Sequence, residues 1–166
     1  DEIWAGTYPS MMSNWDDVEL FKDLLKAGIT RFIDLTNPQD GYRELPYRDA
    51  LHQASRTLER RVEVQSFPLA FRVAPDRRQV QHLLSEIVRL LQTRQRLYLH
   101  AGFPLEGRTP LILACLLIER GYSPKKALAR VNAFWLKTLP FLICAPLSEA
   151  QQAFVLEWQG ASTARL

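Results

Sequence analysis

The chain has 166 residues, 47% of them apolar, which fits one domain able to bury a sizeable core. Lys and Arg total 21 against 18 Asp and Glu, and the net charge of +3 is too slight for a nucleic-acid binder, although it suits acidic or phosphorylated ligands. Two cysteines (Cys115, Cys144) make no disulfide framework, three histidines (His52, His82, His100) offer no metal-ligand spacing, and no apolar run is long enough to span a membrane. No metal, cofactor or membrane contact is therefore expected, and a reducing, cytoplasmic setting is the default. The chain begins at Asp1 without a methionine and is expected to be a piece of a longer protein, as a single domain over residues 1–166.

In chain order, Ile3 to Ala5 reads as a short edge strand closed by Gly6. A helix follows from about Asp16 to Ala27, with Val18, Phe21, Leu24 and Leu25 on one face and Gly28 as its stop. Arg31 to Leu35 is a compact buried strand, ended by the turn signals Asn37-Pro38 and Asp40-Gly41. Pro46 to Leu58 reads as helical, and Val62 to Phe67 alternates as a half-buried strand does. The longest helix runs from about Asp76 to Gln95, capped by Asp76, with Val80, Leu83, Leu84, Ile87, Leu90 and Leu91 in one stripe. Leu97 to His100 is a further strand, and Thr109 to Arg120 an apolar helix stopped by Gly121. Ser123-Pro124 opens another helix, and Ser148 with Gln151 forms a capping box for the last, which continues to Trp158. Strands interleaved with helices predict an α/β fold, a small central sheet covered by helices.

The informative segment runs from Leu97 to Thr109, Leu-Tyr-Leu-His-Ala-Gly-Phe-Pro-Leu-Glu-Gly-Arg-Thr. An apolar strand enters a glycine-containing loop that ends in Arg-Thr at the start of a helix. Backbone N–H groups at a helix start favour an anion, and an arginine there can grip a phosphate with two hydrogen bonds.

On His100, Gly107, Arg108 and Thr109 the chain resembles the dual-specificity branch of the cysteine-dependent protein tyrosine phosphatases. That family's signature is a strand ending His-Cys, five residues, then Arg and Ser or Thr at a helix start. The likeness extends to Ile3–Pro9, Phe32–Thr36, Ser123-Pro124 with Ala127–Arg130, and the tail from Ala145 through Phe154 to Trp158. The resemblance implies the phosphotyrosine protein phosphatase-like fold, with Arg108, Gly107 and Thr109 at a phosphate-binding loop.

The family's chemistry is not carried by the residues present. Its nucleophile, a low-pKa thiolate that takes up the phosphoryl group before water removes it, should follow His100. Ala101 stands there, and counting back from Arg108 gives Gly102 instead. The loop is one residue longer than the family pattern, Pro104 has no N–H to offer an anion, and Glu106 adds negative charge. The general acid of the family should lie in the loop after Val62–Phe67, where Ala70 and Phe71 are found with no carboxylate before Asp76, a helix cap. Cys115, seven positions beyond Arg108 among apolar neighbours, reads as a core residue. His100 reads as a satisfied, partly buried histidine, and Thr109 as the cap of the following helix, with Pro110 in its first turn.

These substitutions predict a catalytically inactive pseudophosphatase domain that acts as a protein-binding or regulatory scaffold. Two alternatives stay open: a weak or unconventional phosphatase, and a module that senses phosphate or a phosphoprotein through Arg108. The apolar stretch from Phe134 to Ile143 makes Trp135, Phe141 and Leu142 candidates for a partner-binding surface, against the simpler reading that they close the core. Lys125, Lys126, Arg130 and Lys137 read as a solvated helix face.

Overall fold

Short apolar strands each followed by a helix must return the chain over the sheet, and this places all the strands parallel. The computed structural model describes residues 3–9, 17–40, 47–102, 107–138 and 147–160, and divides into two compact units. The first comprises Asp1–Leu69 with Glu86–Phe103, the second Ala70–Ser85 with Pro104–Leu166.

In the first unit, strands β1 (Ile3–Gly6), β2 (Ile29–Asp34), β3 (Glu63–Ser66) and β4 (Arg96–His100) form a parallel sheet in the order β1-β4-β2-β3. The expected edge position of the first strand is observed. Strand β2 starts two residues before the expected Arg31, because Gly28, at φ 85°, turns the chain straight from helix α1 (Asp17–Lys26) into the sheet. The register aligns Phe32 with Tyr98 and Asp34 with His100, so these four side chains share one face. Helix α2 (Arg48–Thr57) packs on α1, and Phe21, Leu24, Leu25, Leu51 and Ala54 meet Phe32 and Tyr98 in one core. Each such large side chain contributes about 1.5–3 kcal/mol by leaving water. Ile33, Leu97 and Leu99 point to the opposite face and are buried as well, so the two central strands are covered on both sides, as parallel strands require.

Helix α3 (Arg77–Gln92) buries Val80, Leu83, Leu84, Ile87 and Leu90, and Asp76 caps it by accepting the Gln79 N–H at 2.9 Å. In the second unit, α4 (Arg108–Glu119), α5 (Pro124–Thr138) and α6 (Glu149–Leu156) pack against one another. The Ser148–Gln151 capping box is present in full, and the Trp158 indole N–H donates to Glu119 at 3.0 Å. No helix among the described residues is long and apolar enough to cross a membrane.

Candidate functional site

The sequence motif has two described ends, each built within its own unit. Residues 103–106 lie outside the described residues, and with them Pro104 and Glu106.

At the first end, β4 delivers His100, Ala101 and Gly102. The Leu35 N–H donates to the His100 carbonyl at 2.9 Å and the Tyr8 N–H to the Gly102 carbonyl at 3.2 Å, which fixes where the chain leaves the sheet. The His100 ring is fully buried among aromatic rings: Tyr8 and Tyr47 stand edge-on to it and Tyr98 is tilted against it. Its Nε2 shares a 2.9 Å hydrogen bond with the Tyr47 hydroxyl. Asp34 Oδ1 lies 3.8 Å from His100 Nδ1, beyond hydrogen-bond length, and accepts instead from the Thr36 N–H and hydroxyl at 2.9 and 2.6 Å. Burial lowers the His100 pKa to about 4, against the pull of Asp34 and the Ala101 backbone, so the ring is neutral at pH 7. Burial likewise pushes the Tyr47 phenol far up and Tyr98 up to about 12. The Ala101 methyl is buried, 4% exposed, and no side chain from Ala101 or Gly102 can attack phosphorus.

At the second end, Gly107 caps α4 in the left-handed region at φ 74°, a conformation that glycine adopts without strain. Arg108 is the first residue of the helix and is buried. Thr109 is the second helical residue. It is not the cap expected from the sequence, because the cap is Gly107, in a left-handed turn two residues earlier. Its hydroxyl is buried and finds no hydrogen-bond partner among the described residues. Seven positions on, the fully buried Cys115 thiol is held far above its usual pKa by that burial, so it supplies no thiolate.

The positions expected for a general acid, Ala70 and Phe71, are exposed and carry no carboxylate. Beyond them Arg72 adopts φ 54°, its carbonyl accepting the Ser148 hydroxyl at 2.7 Å. Of the apolar candidates on α5 and after it, Trp135 faces inward at 5% exposure, whereas its neighbours Phe134 and Leu136 are 53% and 42% exposed. Phe141, Leu142 and Cys144 lie outside the described residues. No cluster of His, Cys, Asp and Glu among the described residues could hold a metal ion.

Sequence reasoning missed Tyr47, because nothing local says that a residue 53 positions before His100 will meet its imidazole. The Asp34–Thr36 spacing did carry a signal, since an aspartate two residues before a threonine is suited to this turn.

The structure superposes on kinase associated phosphatase, solved with its catalytic-site cysteine replaced by serine, at 18% identity and a TM-score of 0.69, covering 99% of this chain and 89% of the other. The chain has a dual-specificity phosphatase fold. The core catalytic domain of the PP-IP phosphatase SIW14 from S. cerevisiae, in complex with citrate, matches at 16% identity and a TM-score of 0.67, over 99% of this chain and 85% of that one. PTPMT1 in complex with PI(5)P matches at 16% identity and a TM-score of 0.63, over 98% and 93%. No family model matches the sequence and no curated protein matches it. The likeness to these phosphatases is thus one of fold.

Proposed function

We propose that this is a non-catalytic phosphatase-fold domain, a pseudophosphatase that works by binding protein as a scaffold or regulatory module. One observation carries the reading: the two residues that follow β4, where a nucleophile should stand, are Ala101 and Gly102, a methyl group and a hydrogen. Transfer of a phosphoryl group to the protein needs a lone pair that forms the bond to phosphorus as the bond to the leaving oxygen breaks. Neither side chain has one. Three further features support the reading. His100 is neutral and enclosed by tyrosines, Cys115 is buried as a thiol, and Ala70 and Phe71 cannot protonate a leaving group.

The test is turnover of an aryl phosphate by the purified domain. We expect no rate above buffer, and no change in Arg108→Ala. A rate that Arg108→Ala abolishes establishes an enzyme instead.

A second reading, in which Gly107, Arg108 and Thr109 hold a phosphate without cleaving it, has one observation in its favour. The Thr109 hydroxyl is buried beside the Arg108 helix start with no partner among the described residues, and such groups ordinarily have one. Titration with inorganic phosphate separates the two readings: submillimolar affinity lost in Thr109→Val supports the anion site, and no binding removes it.

A further inference from the structure

Helix α5, Pro124–Thr138, carries Lys125, Lys126, Arg130 and Lys137 and no acidic residue. All four are exposed, and among the described residues none lies within ion-pair distance of a carboxylate. A surface helix ordinarily intersperses both signs, so four unneutralised cations on one short element repel one another and attract an anionic surface. Arg130 is held in place, its guanidinium 5.7 Å from the centre of the Tyr122 ring. Ala127, Leu128, Val131 and Trp135 form the buried side of the helix. The outward side is centred on Ala129 and Ala133, both exposed, with Leu136 beside Ala129, Lys126, Arg130 and Lys137 alongside and Phe134 at the margin.

We propose that this face docks an acidic helical segment of a partner protein. The inference rests on the binding-domain reading above and names the partner's chemistry. Ala129 and Ala133, one turn apart, let a second helix approach to about the 8–10 Å at which helices pack. Lys126, Arg130 and Lys137 follow one another at intervals of four and seven residues, the spacing at which a partner helix presents carboxylates along one side. Leu136, about 20° from Ala129 around the helix axis, supplies apolar contact on the same face. An anionic bilayer fits less well. At about 100° per residue the two exposed apolar side chains lie about 160° apart around the helix axis, so they cannot enter one flat surface together.

The probe is a synthetic helical peptide with glutamates along one side and leucines flanking them, compared with its glutamine counterpart and with phosphatidylserine vesicles. The purified domain is expected to bind the glutamate peptide at least about tenfold more tightly than the glutamine peptide, with affinity falling as salt is raised. Lys126→Glu with Lys137→Glu should weaken binding about tenfold, and Arg60→Glu with Arg61→Glu, the same charge change on exposed residues of the first unit, about twofold or less. Equal loss in the two double variants, or binding to vesicles with indifference to the peptides, overturns the proposal. Failure here leaves the aryl phosphate assay unaffected, so it is distinct from failure of the pseudophosphatase reading.

Discussion

The polar cluster at the end of β4 and the cationic face of α5 treat charge in opposite ways. Around His100 the polar atoms are removed from water: the ring is neutral and its Nε2 is hydrogen-bonded to Tyr47, while Nδ1 finds no partner among the described residues. Along α5 four full charges stay in water, with no carboxylate paired to them among the described residues, at little cost to folding. A residue of the phosphatase signature is thus held by packing in the sheet unit. The cationic face belongs to the helical unit, away from the motif in sequence. What the fold retains and what the surface can do are separate matters.

The sharpest way to break the comparison is His100→Ala. It removes a ring packed against Tyr8, Tyr47 and Tyr98 and leaves the Tyr47 hydroxyl buried without its partner. Urea unfolding should register a loss of about 3–5 kcal/mol, cavity and orphaned hydroxyl together.

Acid should come next. The unfolded chain takes up a proton on His100 as the pH drops through about 6.5, whereas the folded chain resists until about 4. Stability present above 6.5 is therefore lost progressively between those values, by about 3 kcal/mol at 1.36 kcal/mol per pKa unit. Unfolding free energies measured from pH 7 to pH 4 check this, and the His100 contribution should vanish from the profile of His100→Ala.

A smaller effect is expected at Gly6, where an added Cβ would overlap the Tyr98 hydroxyl, which donates to the Thr7 carbonyl at 3.1 Å. Gly6→Ala should cost about 1–3 kcal/mol by chemical denaturation, with part recovered when Tyr98→Phe clears the space. Smallest of all, Lys126→Glu with Lys137→Glu should alter unfolding free energy by less than about 0.5 kcal/mol, as exposed charges do. A large loss there would mean that the α5 cations hold the fold together, and the contrast with His100 would fail.

Much of the architecture was legible in local pattern. The stripe Val80, Leu83, Leu84, Ile87, Leu90 marks α3, and Asp76, Ser123-Pro124 and Ser148–Gln151 mark helix starts, because caps and periodicities act within one or two turns of backbone. Apolar content misleads where periodicity does not. Phe134 and Trp135 look alike by composition, yet Leu128, Val131 and Trp135 share the inward side at i, i+3 and i+7 while Phe134 falls outside it. Thr109 as a cap was a reasonable expectation from residue type, and it gave way to the left-handed turn at Gly107.

By itself the sequence determined which elements form, to within a few residues of their ends, and that the two residues after His100, Ala101 and Gly102, offer no nucleophilic side chain. These depend on neighbouring residues and on side-chain identity alone. Only the tertiary structure decided the strand order β1-β4-β2-β3, the alignment of Asp34 with His100 and the closure of Tyr47 over the imidazole. Those pairings join residues tens of positions apart, and their energy comes from burial and register, which no local stretch of chain encodes.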